Sequence, residues 1–198
     1  MPMQLALFDF DHTLTTCDTY SRFLRTVATP GQLARARWTV GPWLLGYRAG
    51  LVTAAAIRAR ASRAAFAGRD AAAIADLAAR YAREQLPGLL RPDMVRRLEW
   101  HRAQGHRMAV VSGSLDLYLR PWCERHGLDL MCNRLQSVDG RLTGRYDGGD
   151  IGPRKAREIG LRYVLGDYER IHAYGDSSED RGMLALAHER WYRGRRIA

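Results

Sequence analysis

With 198 residues, 46% of them hydrophobic and 26% charged, the chain has the composition of a globular protein with a full core, which excludes fibrous and disordered classes. Its net charge of +10 attracts nucleic acid, anionic lipid or phosphorylated small molecules alike, and charge alone does not choose among them. Three cysteines, Cys17, Cys123 and Cys132, without C-x-x-C spacing, exclude a disulfide framework and a zinc ribbon.

Residues 4–9 read as a short strand buried on both faces, beginning too close to Met1 for a secretory signal, so a cytoplasmic protein is expected. The strand runs into Asp9-Phe10-Asp11-His12-Thr13. Carboxylates two residues apart on an extended segment project to the same side, which suits a nucleophile beside an acid/base, or a bound cation. The plainer alternative is a turn in which Asp11 or Thr13 caps the next helix.

Residues 18–83 read as helical, rich in alanine, leucine and arginine, with breaks at Thr29-Pro30-Gly31, Gly41-Pro42 and Gly68-Arg69-Asp70. Within them, residues 38–47 are apolar and aromatic and flanked by arginines. The stretch is too short for a membrane span and ends at Arg48. Its ordinary use is as core of the helical insertion or as a contact between copies, while aromatic and basic residues together also suit a peripheral contact with a lipid interface. The arginines are spread along the chain without an RNA-binding signature or zinc-finger spacing, so no specific nucleic acid is expected.

The chain turns at residues 86–92, forms a helix over 93–104, and enters a second strand at 107–111 that ends on Ser112-Gly113-Ser114. A helix is expected over 115–126, with Ser112 and Gly113 opening it, where a hydroxyl and free backbone N–H groups favour a phosphate oxygen. Residues 130–136 read as a third strand, with 140–146 as part of a hairpin beside it. Lys155, the one lysine among 31 basic residues, stands near the start of the next helix, and a compact ammonium there suits a point contact with an oxyanion. The fourth strand, 171–174, ends on Gly175-Asp176; Asp180 follows four residues later at a strand-to-helix turn, a helix covers 183–187, and 190–193 form a short fifth strand.

Strands alternating with helices indicate an α/β fold with a parallel sheet covered on both faces. Ligands in such sheets bind outside the carboxyl ends of the strands, so Asp9, Asp11, Ser112 and Asp176 are expected in one crevice. So many acids need a counter-ion, and hard oxygen ligands of this kind suit Mg²⁺ with a substrate phosphate oxygen.

Taken together, Asp9-Phe10-Asp11-His12-Thr13, Ser112 after Val110-Val111, Lys155, and Gly175-Asp176 with Asp180 resemble the four motifs of the haloacid dehalogenase superfamily of phosphohydrolases. The resemblance implies a Rossmann-like core at residues 1–16 and 88–198, and an inserted helical cap of the C1 type at residues 17–87. It implies Asp9 as the nucleophile that forms an aspartyl-phosphate and Asp11 as the general acid/base. It assigns Mg²⁺ to Asp9, Asp176 and the backbone carbonyl of Asp11, with Asp180 close behind, and the phosphoryl group to Ser112, Gly113 and Lys155, while Thr13 steadies the first loop. The phosphoserine-phosphatase-like branch is the nearest in layout. Asp18 falls where that branch places an acid that meets the substrate amino group, or else it caps the first inserted helix. Glu179 departs from the asparagine usual there. The layout is also similar to phosphatidylglycerophosphatase C and its relatives. The expected activity is therefore Mg²⁺-dependent hydrolysis of a phosphomonoester, with a small phosphorylated metabolite such as phosphoserine as substrate. The alternatives are a lipid phosphate, phosphatidylglycerophosphate, or an arginine-rich nucleic-acid-binding protein on a phosphatase fold. Oligomeric state stays open.

Overall fold

Strand β1 (Gln4–Phe8) sits between two parallel neighbours, β2 (Arg107–Leu115) and β6 (Arg170–Gly175), in the computed structural model, which describes residues 3–198. Being central, β1 is covered on both faces: Leu5 and Leu7 enter one apolar core, and Ala6 and Phe8 the other. The sheet order is β3-β2-β1-β6-β7-β8, with β3 (Asp129–Asn133) and β7 (Glu189–Tyr192) parallel to their inner neighbours and β8 (Arg195–Ile197) antiparallel at the edge. From β1 the chain builds outwards to β3, then returns to lay β6 on the other side of β1. That reversal opens a crevice beyond the carboxyl ends of β1 and β6.

Helices α8 (Lys155–Arg162) and α9 (Arg181–Ala185) bring Ile159 and Met183 to the face of Leu5 and Leu7. The opposite face receives Met94 and Leu98 of α6 (Pro92–Ala103) and Leu119 and Trp122 of α7 (Asp116–His126). Between β1 and β2 run α1 (Thr19–Val27), α2 (Pro30–Thr39), α3 (Gly41–Arg48), α4 (Ala54–Phe66) and α5 (Ala71–Glu84). Four of them start on side-chain caps, Asp18, Thr29, Thr53 and Asp70, each accepting from a backbone N–H three residues on. The chain enters and leaves this insertion on two strand-like linkers that pair with each other: Thr16 N donates to Leu89 O (2.8 Å) and Arg91 N to Leu14 O (2.9 Å).

The inserted helices are not packed alike. Phe23 of α1 and Tyr81 of α5 both meet Tyr118 of α7, with ring centroids 5.0 and 5.3 Å apart. Helix α4 lies on a two-stranded hairpin, β4 (Leu135–Val138) and β5 (Arg141–Tyr146). Gly144 permits that approach: its φ is +72°, and a Cβ there would stand 2.6 Å from the Arg63 Cα. Helices α2 and α3 contain no buried residue.

Three expectations are corrected. Residues 130–136 are not one strand: β3 ends at Asn133 in the main sheet, and β4 begins at Leu135 in the separate hairpin. Ser112 and Gly113 do not open a helix, because β2 continues to Leu115 with a register shift between Ser112 and Leu115, and α7 starts at Asp116. The aromatic stretch 38–47 is mostly not core: Val40 alone of it is buried, while Trp38 is 85% exposed and Leu45 66%. A further helix break before Thr53 and the edge strand β8 were not foreseen. No helix among the described residues is long and apolar enough to cross a membrane.

Candidate active site

β1 delivers Asp9 to the crevice, and Asp9 N donates to Tyr174 O of β6 (2.9 Å), locking the two strand ends together. Phe10–Leu14 then winds into one wide turn, closed by Thr15 N donating to Phe10 O (3.1 Å), with His12 at φ 57°. The turn swings Asp11 away from Asp9. The Asp11 carboxylate accepts from Thr19 Oγ1 (2.5 Å), from Thr19 N (2.7 Å) and from Ser114 Oγ, so α1 and the β2 bulge hold it between them. The two acids therefore have separate environments.

Asp9 is 6% exposed, and its carboxylate accepts from Lys155 Nζ at 2.5 Å. The same ammonium donates to Asp180 Oδ1 at 2.5 Å, while Asp180 Oδ2 accepts from Asp176 N, Ser177 N and Ser177 Oγ at 2.8 to 3.0 Å. Asp180 is thus fully committed: it fixes the lysine and the turn after β6. Gly175 is required beside it, since a Cβ there would lie 2.5 Å from the Asp180 Cβ. Thr13 Oγ1 donates to Asp176 Oδ1 at 3.4 Å, tying the first turn to the last.

One lysine serves several acids, and the protonation equilibria reflect the deficit. Burial pushes the Asp9 carboxyl up, and Lys155 opposes this while Asp180 and Asp11 add to it. Burial and the Asp180 charge likewise raise Asp176. Asp180 is held low, its burial outweighed by Lys155 and the Ser177 hydrogen bonds. The Asp11 carboxyl is pushed up to about 6 by burial and the nearby Asp18 charge, against the hydrogen bonds from Ser114 and Thr19. Oxygens of Asp9, Asp176 and Asp180 all lie within 4.8 Å of one another. With Asp180 held by Lys155, the oxygens of Asp9 and Asp176 beside it are hard anionic ligands that fit a small divalent cation of the Mg²⁺ type.

Ser112 is buried, and its Oγ accepts from Ser114 N at 3.1 Å, which sets the bulge. Asn133 Nδ2 donates to Gly113 O at 2.7 Å. Beyond Gly113 stands Arg58 of α4, whose guanidinium carbon would be 3.1 Å from a Cβ on Gly113. Arg58 donates to Asp150 (2.8 and 3.0 Å) and to Glu179 (2.8 Å). Burial works against its charge, but the two carboxylates outweigh that and keep it firmly protonated. An inserted helix is thereby clamped across the crevice by two acids of the sheet side.

The structure brings Asp9, Asp11, Thr13, Ser112, Gly113, Lys155, Asp176 and Asp180 to this crevice. Asp18 caps α1, accepting from Ser21 N (2.9 Å) and Ser21 Oγ (2.6 Å), and reaches the site as a charge acting on Asp11. Sequence reasoning missed Arg58, Thr19, Ser114, Asn133 and Asp150. Only Glu179, noted as a departure, hinted at a partner such as Arg58.

The model of the haloacid dehalogenase-like hydrolase family matches residues 6–185. Protein CicA of Caulobacter vibrioides is 38% identical over 201 residues, an alignment that covers 96% of this chain and 85% of CicA. A Bordetella pertussis Tohama I protein of unknown function superposes with a TM-score of 0.77 at 24% identity, over 94% of this chain and 88% of that one. A substrate-bound phosphoserine phosphatase superposes with a TM-score of 0.68 at 19% identity, over 97% and 86% of the two chains.

Proposed function

The chain belongs to the haloacid dehalogenase-like hydrolase family, and from that premise we propose that it is a Mg²⁺-dependent phosphomonoesterase working through an aspartyl-phosphate on Asp9. The observation that carries this reading is the separation of the two acids. Asp9 lies buried beside the lone lysine, and Asp11 is held aside by Thr19 and Ser114 with its carboxyl raised to about 6. A group that titrates near neutrality can give and take a proton within one cycle.

An Asp9 oxygen attacks phosphorus, a P–O bond forms, and the bond to the leaving oxygen breaks as Asp11 gives that oxygen its proton. Water then attacks the acyl phosphate while Asp11 takes its proton, which frees Asp9 and inorganic phosphate. Lys155, Ser112 and Gly113 are the groups that would hold the transferring phosphoryl oxygens. Asp9, Asp176 and the Asp11 carbonyl would hold Mg²⁺, which supplies positive charge to the same oxygens.

Residues 17–87 act in this reading as a cap, hinged at the paired linkers and shut by Arg58 on Asp150 and Glu179. A small metabolite such as phosphoserine is the proposed substrate. Support comes from the phosphoserine phosphatase fold and from the Asp18 charge beside Asp11. One observation favours a lipid phosphate instead: a groove of about 840 Å³ lies between α2, α4 and β5, bordered by Arg35, Trp43, Arg60 and Arg63, with Asp150 in its lining. The proposed compartment is the cytoplasm, in keeping with three free thiols.

The decisive assay is p-nitrophenyl phosphate turnover, which should require Mg²⁺ and vanish in Asp9→Asn. Turnover without a divalent metal, or surviving that substitution, sinks the reading. A panel of phosphorylated metabolites and phosphatidylglycerophosphate then separates the substrates.

A further inference from the structure

The arginines are spread along the chain, but the acids are not, so the net positive charge falls in one part of it. Residues 19–69 hold nine arginines, Arg22, Arg25, Arg35, Arg37, Arg48, Arg58, Arg60, Arg63 and Arg69, and no aspartate or glutamate. The remaining residues hold 22 basic groups (31 minus 9) against 21 acids, a balance of +1, so nine of the ten net charges belong to α1–α4 and their loops. Arg35, Arg37 and Arg48 pair with no carboxylate among the described residues. The outermost helices of this basic segment also carry unburied large apolar side chains. Leu33 (41%), Trp38 (85%), Leu44 (45%), Leu45 (66%), Tyr47 (48%) and Leu51 (83%) are exposed on α2, α3 and the loop after them.

Six large apolar side chains left exposed within nineteen residues are more than a surface needs, and they mark this segment as a binding region. Its chemistry selects the partner. Interleaved arginine, tryptophan, tyrosine and leucine on short helices suit the headgroup layer of an anionic bilayer, where arginines meet phosphates and the apolar side chains enter the acyl boundary. A second copy of this chain would bring the same unneutralised arginines face to face. Nucleic acid would satisfy the arginines and stack on Trp38, but would leave Leu33, Leu44, Leu45 and Leu51 exposed.

We propose that the α2–α3 helices dock this protein on the surface of an anionic membrane. Docking is peripheral, since neither helix exceeds 10 residues. The groove beside Asp150 is bordered by Arg35, Thr39 and Trp43 of the same two helices, so the docked face adjoins it. The docking itself does not depend on the chemistry at Asp9.

Flotation with vesicles tests it, using the full chain as wild type, as Asp9→Asn, as a Trp38→Ser/Leu45→Ser/Leu51→Ser triple variant, and as an Arg35→Gln/Arg37→Gln/Arg48→Gln triple variant. Wild type and Asp9→Asn should float equally with phosphatidylglycerol-containing vesicles, stay behind with phosphatidylcholine alone, and be released by salt. Each arginine removed should weaken binding by about fivefold, so the arginine variant loses on the order of a hundredfold. The serine variant should lose flotation with its melting temperature unchanged, because the residues it alters are exposed. Wild type failing to float, or the serine variant floating undiminished, overturns the proposal. A dimer that the serine substitutions abolish overturns it in favour of a second copy, and binding to RNA in place of vesicles overturns it in favour of nucleic acid.

Discussion

At the carboxyl ends of β1 and β6, Asp11, Lys155 and Asp180 are each fixed by several partners at once, whereas the apolar side chains of α2 and α3 stand mostly in solvent. Asp180 alone takes hydrogen bonds from Lys155, from two backbone N–H groups and from Ser177 Oγ. Trp38, a far larger side chain, remains 85% exposed. The first region spends polar interactions to hold acids where burial opposes their charge. The second leaves apolar area in water, which a partner can remove. Substitutions should therefore be felt strongly in one region and hardly at all in the other.

The sharpest test of the first half is Lys155→Met. It removes the ammonium that Asp9 and Asp180 share at 2.5 Å and leaves buried carboxylates without a cation. The expected loss is about 3–5 kcal/mol of stability in metal-free buffer. Added Mg²⁺ should restore part of it by binding the folded state, and should raise the melting temperature more in the variant than in wild type. A variant that melts like wild type without metal would mean that the acids are not held as described.

A step down in size is Arg58→Ala, which unfastens α4 from Asp150 and Glu179. Both ion pairs are only partly shielded, with side-chain exposures of 11 to 21%, so roughly 1–3 kcal/mol should be lost. Because the clamp spans the crevice, substrate affinity should suffer as well. KM for p-nitrophenyl phosphate is expected to rise several-fold, with kcat less affected, in steady-state kinetics. An unchanged KM would separate Arg58 from the site.

These two residues also show how much could be read from the chain. Lys155 stood out as the one lysine, and Asp9, Asp11, Ser112 and Asp176, each of which could merely cap a helix, stood out because they follow successive apolar strands whose ends converge, in the order of four known motifs. Arg58 was not, being one arginine among thirty (31 minus 1) on a helix whose facing partners lie about a hundred residues away. Ser114 and Thr19 were invisible for the same reason, since nothing local says that both will meet Asp11. Ser112-Gly113-Ser114 has the composition of a helix start, but pairing of β2 with β3 carried the strand on to Leu115. The stretch 38–47 is apolar enough for a core. Composition cannot say which apolar helices the fold leaves uncovered, and here the covering of α7 and β5 went to α1, α4 and α5.

A pH titration probes a third packed place, where α6 meets the sheet. His101 bonds His106 (2.8 Å) and the Tyr174 hydroxyl (2.8 Å), and His172 bonds Gln4 (3.0 Å). Burial, and then the neighbouring histidines and Arg97, lower His101 to about 3; burial and His106 lower His172 to about 4 against the pull of Glu189, with Arg170 and Arg97 adding to the lowering. Both folded values lie below the ordinary 6.5, so the unfolded chain binds protons first as pH falls. Their contribution to stability is complete above pH 6.5 and declines between about 6.5 and 4. Melting temperatures across that window should fall with acidity, and His172→Gln should flatten the slope. A slope unaltered by that substitution would place its origin elsewhere.

The smallest effect is expected where the side chains are largest and least covered. Trp38→Ser or Leu45→Ser removes mostly solvent-exposed apolar area from helices that bury no residue, so stability should change by no more than about 0.5 kcal/mol. Phe23→Ala is the matched control, because that ring is fully buried against Tyr81 and Tyr118 and its loss should cost about 3–5 kcal/mol. Urea melts of the three variants compare the regions directly. If Trp38→Ser destabilised the chain as Phe23→Ala does, α2 and α3 would belong to the folded core, and their apolar side chains would need no partner outside it. If the two differ as expected, apolar surface with no part in stability has been kept beside unpaired arginines, and recognition is the use left for it.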